Sequence, residues 1–241
     1  MIRTYFIAFI FTIGLLSCDT LAKLPTGTGS TSSVTQFEAA QGIKEALDKG
    51  VDAGVALLNK PDGFFGNEAY KLFLPPDAQK VVTTLQNLGM GSMVDRAVLQ
   101  INRAAEDAVG YARPIFADAI KQMTIADAIN IIKGPSDAAT QYFKQKTTDK
   151  LVAAFTPVIK GSLEKFSATK YYSELINTYN NFPTTLKKIN PDLTNYVVNQ
   201  AIGALFDQIA KEEANIRANP VARTTDILKK VFGWAAKSSN Y

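Results

Sequence analysis

The polar residues with the best spacing for joint chemistry are Asn102, Arg103 and Glu106. At 100° per residue, Asn102 and Glu106 fall on the flank of an apolar helix stripe, and Arg113 lies on that flank two turns later. Polar groups at such a boundary are half-buried and need partners. The spacing predicts either a small polar pocket at a seam between helices or an ion pair that links them. With two expected neighbours from the following helices, the candidate polar site comprises Asn102, Arg103, Glu106, Arg113, Thr140 and Tyr142.

The absence of histidine limits the chemistry that these residues could do. The 241-residue chain has no histidine, so it cannot build a Ser-His-Asp or Cys-His arrangement. Zinc and transition-metal sites also lose their imidazole ligands. An enzyme of this sequence would have to use carboxylates, Lys, Tyr or Ser, with Glu106 as one candidate. We therefore predict no catalytic residue, no metal ion and no cofactor.

The single cysteine, Cys18, ends an N-terminal export pattern. Arg3 supplies a positive charge, and the apolar run from Tyr5 to Leu16 is shorter than the roughly 20 residues that span a membrane. The tetrapeptide Leu15-Leu16-Ser17-Cys18 resembles a bacterial lipobox. That resemblance implies cleavage before Cys18, a diacylglyceryl thioether on its sulfur, and a third acyl chain, such as palmitate, on the new amine.

These features predict three segments. Residues 1–17 form the signal peptide, residues 18–34 hold the lipidated cysteine and a flexible linker, and residues 35–241 form a helical domain. The stretch from Leu24 to Ser33 is small, polar and uncharged, which is typical of a flexible tether. We expect a lipid-anchored protein of the bacterial cell envelope, with its domain in the periplasm and its acyl chains in a membrane.

The charges of the chain argue against nucleic acid as a partner. Lys and Arg number 26 against 22 Asp and Glu, a net charge of +4. Basic residues are dispersed among acidic ones, so no basic patch is expected. The expected partners are therefore the membrane and an unidentified protein or small molecule.

The elements that must position the polar site are predicted to be helices. From Thr35 onward apolar residues recur at three- and four-residue steps, and alternation typical of strands does not persist. We predict an all-α, single compact domain of about eight to ten helices. Capping boxes are expected at Thr35 with Glu38, Ser92 with Asp95, and Thr124 with Asp127.

Prolines and glycines predict the remaining boundaries. The expected features are a kink before Pro114, helix starts at Pro135-Ser136, Thr156-Pro157 and Asn190-Pro191-Asp192, and a last helix from Thr225 that stops before Gly233. A long connection from Asp62 to Pro76 is rich in aromatic residues. Because of this composition, we expect the connection to pack against the core rather than remain free.

Five short motifs are the most distinctive stretches of the helical region: Gly42-x-Lys44-Glu45-Ala46-Leu47, Gly63-Phe64 with Leu74-Pro75, Asn102-Arg103-Ala104-Ala105-Glu106-x-Ala108, Pro114-Ile115-Phe116, and Ala138-Ala139-Thr140-x-Tyr142. Together they resemble a family of bacterial envelope proteins classified as a domain of unknown function. They cover about residues 37–145, with weaker similarity to about residue 230. The resemblance implies an exported helical domain in Gram-negative cells and brings no activity, cofactor or catalytic residue.

Three functions fit these observations. The first is a non-enzymatic, lipid-anchored helical domain that binds a partner or serves envelope maintenance. The second is a periplasmic binding protein for a small apolar or amphipathic molecule held between helices. The third is a histidine-free enzyme that uses Glu106 with another carboxylate or a lysine. The first is our leading hypothesis.

Overall fold

A computed structural model of the protein describes residues 34–181, 188–189 and 192–238. Within these ranges it contains nine α-helices, three short 3-10 helices and no strand, which confirms the all-α prediction. The α-helices are α1 (Gln36–Leu58), α2 (Gln79–Asn87), α3 (Gly91–Val109), α4 (Arg113–Gln122), α5 (Ile125–Lys133), α6 (Ala138–Lys165), α7 (Ala168–Asn180), α8 (Thr194–Ala218) and α9 (Asp226–Ser238). The predicted signal peptide, Cys18 and the tether lie outside the described residues.

The core forms where α8 packs against α1, α3 and α6. The alanines of α3, including Ala104 and Ala108, are fully buried, and this helix also contacts α7. These small side chains allow the neighbouring helices to pack closely against α3. Gly42 has a similar role on α1, because a Cβ atom there would lie 2.8 Å from a methyl group of Val231 on α9.

Two of the three predicted capping boxes are confirmed. The Thr35 hydroxyl accepts from the backbone N–H of Glu38, and the Thr124 hydroxyl accepts from that of Asp127. In each pair the carboxylate accepts from the backbone N–H of the threonine in return. These are contacts between residues three apart, so local sequence determines them.

The box predicted at Ser92 is wrong, because α3 begins one residue earlier, at Gly91. Gly89 ends α2 in a left-handed conformation with φ of 76°. The N–H of Met90 then donates to the carbonyl of Leu85 at 2.8 Å, which is typical of a glycine C-cap. The turn therefore leads directly into α3, and Ser92 lies inside its first turn.

The helix boundaries predicted from proline are partly wrong. The expected kink before Pro114 is an interruption, a 3-10 turn over Gly110–Ala112, because proline cannot donate a backbone bond. No helix starts at Pro157, since α6 continues through it with Phe155 and Ile159 fully buried on either side. Burial of both side chains outweighs the roughly 3 kcal/mol that an internal proline costs.

Three other helix boundaries, two starts and one end, also differ from the predictions. The helix expected from Pro135 begins at Ala138, and the long helix expected from Asn190 begins at Thr194, while Asn190 and Pro191 themselves lie outside the described residues. The last helix does not stop before Gly233 but continues to Ser238. Glycine lowers helix propensity by only about 1 kcal/mol, and the buried Phe232 beside it favours continuation.

Residues 59–75, here called the aromatic connection, join α1 to the 3-10 helix before α2 and are not helical. Phe64, Tyr70 and Leu72 are buried, so the expectation that this segment packs against the core is confirmed. Phe73 differs from them, with 59% of its surface exposed. The aromatic connection thus has a buried side and an exposed side.

Candidate functional site

The side-chain amide of Asn102 on α3 pairs with the backbone of the aromatic connection, in the way that the backbones of neighbouring strands pair. Its Oδ1 accepts from the backbone N–H of Leu72, and its Nδ2 donates to the Leu72 carbonyl, both at 2.8 Å. The same Nδ2 also donates to the Val98 carbonyl at 2.7 Å. Asn102 is fully buried, so these bonds satisfy polar groups of the connection that water cannot reach.

Glu106, one turn later on α3, binds a second point of the connection. Its Oε1 accepts from the backbone N–H groups of Phe64 and Phe65 at 3.1 and 3.2 Å. Its Oε2 accepts from Arg103 at 2.7 Å, and Arg103 also pairs with Asp62 at 2.8 Å. The pKa of Arg103 is raised, chiefly by its hydrogen bond to Glu106. Both oxygens of this buried carboxylate are therefore occupied within the protein.

Tyr70 fixes the far side of the aromatic connection to α8. Its hydroxyl lies 2.7 Å from the Asp207 carboxylate and 2.8 Å from the Gln208 side-chain oxygen. Lys211 donates to the same hydroxyl at 2.9 Å. Burial raises the pKa of Tyr70, so the phenol stays protonated and donates. The aromatic connection is thus held from two helices, although it has no regular structure of its own.

The other three members of the candidate polar site lie elsewhere. Arg113 pairs with Asp52 at 2.8 Å and Asp48 at 3.5 Å on α1, and it is half exposed. Tyr142 packs beside Phe143, with ring centroids 6.3 Å apart, and burial raises its pKa. In the described part of the chain, the hydrogen bonds and ion pairs of Asn102 and Glu106 involve neither Arg113 nor Tyr142.

Thr140 belongs to a cluster built around Glu213 of α8, which the sequence analysis did not single out. The Glu213 carboxylate accepts from the backbone N–H groups of Ala139 and Thr140 and from the Thr140 hydroxyl, each at 2.9 Å. Arg217 pairs with it at 2.9 Å and donates to the Ile131 carbonyl at 2.8 Å. Because α6 has no side-chain cap of its own, Glu213 caps its first turn from another helix.

The aromatic connection forms one wall of a surface groove of about 440 Å³, here called the α2–α3 groove. The opposite sides are formed by Val82 of α2 and by Val94 and Val98 of α3. The groove is lined by Phe65, Lys71, Phe73, Leu74, Gln79, Val82, Gln86, Val94, Asp95 and Val98. Its volume falls within the range of roughly 300–1,000 Å³ that is typical of small-molecule sites.

Lys71 is the cationic residue of the groove lining. Its ammonium lies 4.2 Å from the ring centroid of Phe65 and 5.9 Å from that of Phe73. Contact with the faces of two rings favours this position by cation–π attraction. Among the described residues no carboxylate lies within ion-pair distance of Lys71.

Two other spaces differ from this groove. An open depression of about 330 Å³ lies beside Arg103, where Asp107 accepts a hydrogen bond from the Ser162 hydroxyl. A void of about 10 Å³ lies between α1, α6, α8 and α9, next to Glu213. That void is close to the size of one water molecule, so the core around Glu213 is filled.

Two further results concern the described residues alone. No group of three or more His, Cys, Asp or Glu side chains could hold a metal ion there. None of the helices there is both long and apolar enough to cross a membrane.

The fold and the site define an all-α domain that holds an irregular aromatic segment beside a surface groove. The chain belongs to the family described as "Protein of unknown function (DUF4197)", whose model matches residues 33–233. The match confirms the resemblance to a domain of unknown function. No curated protein and no solved structure matches the chain.

Proposed function

We propose that this protein is a lipid-anchored, non-enzymatic binding protein of the bacterial cell envelope, and that its helical domain binds a partner in the α2–α3 groove. The observation that carries the proposal is the fixation of the aromatic connection. Loops longer than about 12–15 residues without regular structure are uncommon in compact domains and are usually functional. Here two buried side chains of α3, Asn102 and Glu106, hold such a loop against the groove.

The hydrogen bonds of Glu106 favour binding over catalysis. An acid or base must reach a reacting atom of the substrate. Both oxygens of Glu106 instead accept bonds from the connection and from Arg103. Its role is therefore to position the backbone of Phe64 and Phe65, and through it the groove wall.

The filled core favours a partner at the surface over a ligand enclosed between helices. Every buried side-chain nitrogen and oxygen atom in the described residues has a hydrogen-bond partner, and the space beside Glu213 is about 10 Å³. The α2–α3 groove is large enough for a small amphipathic molecule, so such a molecule is the second candidate partner.

The anchor is the part of the proposal that rests on sequence. Three acyl chains on Cys18 would give stable attachment, whereas a single chain gives only reversible membrane binding. The Cys18→Ser change is expected to abolish incorporation of labelled palmitate and to leave the precursor uncleaved. An unmodified Cys18 thiol in the mass spectrum of the mature wild-type protein would contradict the anchor.

The binding proposal is tested by purifying the intact protein from its own envelope. We compare the wild type with Phe73→Asp in the groove wall and with Phe37→Asp on α1, whose side chains are 59% and 64% exposed. Proteins and organic extracts are then quantified by mass spectrometry. Molecules lost with Phe73→Asp but retained with Phe37→Asp support binding in the groove. The same set of molecules with all three proteins would contradict it.

A further inference from the structure

The last helix, α9, runs antiparallel to α1, so its C-terminal end lies beside the first residues of the helical domain. Three contacts along the two helices show this direction: Lys49 with Thr224, Gly42 with Val231, and Glu38 with Lys230. Trp234 lies one turn beyond Lys230 on α9. It is therefore level with the start of α1.

Two aromatic side chains are open to solvent at this end of the domain, here called the α1–α9 end. Phe37, in the first turn of α1, is 64% exposed, and Trp234 is half-buried and packs against the core. The carboxylate of Glu38, next to Phe37, is paired with Lys230, so it offers no unmatched negative charge to a lipid surface. Tryptophan is enriched at membrane–water interfaces, because its ring has an apolar body and a polar N–H.

The chain that leads to the predicted anchor enters the domain at this same end. Residues 19–34 separate Cys18 from Thr35, which caps α1. A short linker keeps a tethered domain at an effective concentration in the millimolar range near its attachment point. Two aromatic side chains are too small a surface to hold a free protein on a membrane, but a tethered domain needs only a weak contact.

The α2–α3 groove lies at the opposite end of the domain. Two pairs of neighbours show that α8 is also antiparallel to α1: Ile43 with Ile216, and Gly54 with Leu205. Tyr196, near the start of α8, donates to the carbonyl of Phe73 in the groove wall at 2.9 Å. Tyr196 precedes Ile216 by 20 residues, which is about 30 Å of helix rise. The groove wall is thus far from the start of α1.

We infer that the α1–α9 end of the domain rests on the lipid surface that holds the acyl chains of Cys18, with Phe37 and Trp234 in contact with it. The α2–α3 groove then points away from that membrane and is open to partners in the periplasm. This inference rests on the anchor of the proposed function and adds an orientation to it. Phe37 gains by leaving water, and the ring of Trp234 lies at the level of the lipid head groups.

The test uses the fluorescence of Trp234, the only tryptophan of the chain. The full-length, lipidated protein is added to vesicles of phosphatidylcholine and phosphatidylglycerol, with or without bromine in the upper part of the acyl chains. Bromine quenches tryptophan on contact. We expect brominated vesicles to reduce the emission of Trp234 by about half, because interfacial side chains reach about 5–10 Å into the boundary between head groups and acyl chains.

A matched control moves the tryptophan to the other end of α1, in the variant Trp234→Phe with Tyr111→Trp. Tyr111 is 53% exposed and follows Gly110, where a Cβ atom would lie 3.0 Å from the side chain of Asn59, the residue that ends α1. The anchor and the vesicles are the same, and no quenching is expected. Equal quenching at both positions would show that the domain has no fixed orientation and would overturn the inference.

Phe37→Asp tests the contact itself. An acidic residue is favourable in the first turn of a helix, so this variant should keep its fold. It is expected to lose most of the quenching of Trp234 while the protein still floats with the vesicles. Leu88→Asp is the control, because Leu88 is 57% exposed and lies at the end of α2, and it should leave the quenching unchanged. Quenching that persists in Phe37→Asp contradicts the contact.

Flotation with the vesicles separates this inference from the anchor on which it rests. A protein that floats but shows no quenching of Trp234 overturns the membrane contact and leaves the anchor intact. A protein that does not float, and whose Cys18 thiol is unmodified, contradicts the anchor and the membrane contact together. Binding in the groove is tested separately by Phe73→Asp, because the groove and Phe37 lie at opposite ends of the domain.

Discussion

Two buried glutamates, Glu106 and Glu213, make the same kinds of contact but have different structural roles. Each accepts two backbone N–H bonds from a distant segment and pairs with an arginine on its own helix. Glu213 caps α6 beside a filled core, whereas Glu106 holds the irregular connection beside a groove of about 440 Å³. A buried ion pair is therefore not by itself a sign of a binding site. What matters is the surface that the fixed backbone borders.

The largest predicted effect is on the Glu213 cluster. Glu213→Ala removes three hydrogen bonds at the start of α6 and leaves Arg217 with the Ile131 carbonyl alone. Breaking a buried pair in this way is expected to reduce the free energy of unfolding by about 3 kcal/mol or more. Urea denaturation measures the loss.

Glu174→Ala is the control, because Glu174 makes a long, exposed pair with Lys170. It should change stability by less than about 0.5 kcal/mol. If Glu213→Ala behaves like this control, the cap on α6 contributes nothing to stability, and the comparison of Glu213 with Glu106 is contradicted.

Glu106→Ala is expected to cost somewhat less, about 2–3 kcal/mol, because Arg103 keeps its pair with Asp62. Unlike Glu213→Ala, Glu106→Ala should also release the molecules whose retention in the envelope purification requires Phe73, because the groove wall loses its support. Denaturation and the envelope purification measure the two effects. Loss of stability with full retention of those molecules would show that Glu106 has no role in the groove.

Much of the fold could be predicted from sequence because its signals are local. The caps at Thr35 and Thr124 depend on residues three apart, and the flank position of Asn102 and Glu106 follows from helical period. Their partners could not be predicted, since Leu72 and Phe64 lie 30 and 42 residues away along the chain.

Glu213 shows which signal was missed. It shares a helix face with Ile209 and Ile216, both buried, so an acidic residue interrupts an apolar stripe. Such a residue needs a buried partner. Its partners lie at the start of α6, 73 and 74 residues earlier, and only the packing of α6 on α8 brings them together. Thr140 was selected from sequence for a site to which the structure does not bring it.

The loss of stability at alkaline pH is predicted to depend on a buried group outside both glutamate clusters, the phenol of Tyr172. Burial raises the pKa of Tyr172 to about 12, above its usual value of about 10 in an unfolded chain. The folded state therefore holds this proton to higher pH than the unfolded state, so stability is lost as pH rises from about 10 to about 12. A shift of this size corresponds to a loss of about 3 kcal/mol of unfolding free energy across that range.

Tyr172→Phe should flatten the fall in unfolding free energy over that range, and denaturation at each pH measures it. Each protein is compared with itself at pH 7, where the phenol is neutral in both states. An equally steep fall in Tyr172→Phe would assign the loss to other groups.

The smallest effect is expected at Arg113, which the sequence placed with Glu106 and the structure places with Asp48 and Asp52. All three side chains are about half exposed, so Arg113→Ala should change stability by less than about 1 kcal/mol. Urea denaturation is again the measurement. Arg113→Ala should also leave the molecules bound in the groove unchanged. Loss of these molecules would show that Arg113 is part of the binding site.

The central claim is that α3 holds the aromatic connection as a rigid wall, and amide hydrogen exchange of the wild-type protein tests it directly. The N–H groups of Phe64, Phe65 and Leu72 bond to Glu106 and Asn102. They are therefore predicted to exchange as slowly as core helix amides, such as those of Ala104 and Ala105. Exchange of these three amides at the rate of an unprotected loop would contradict the account.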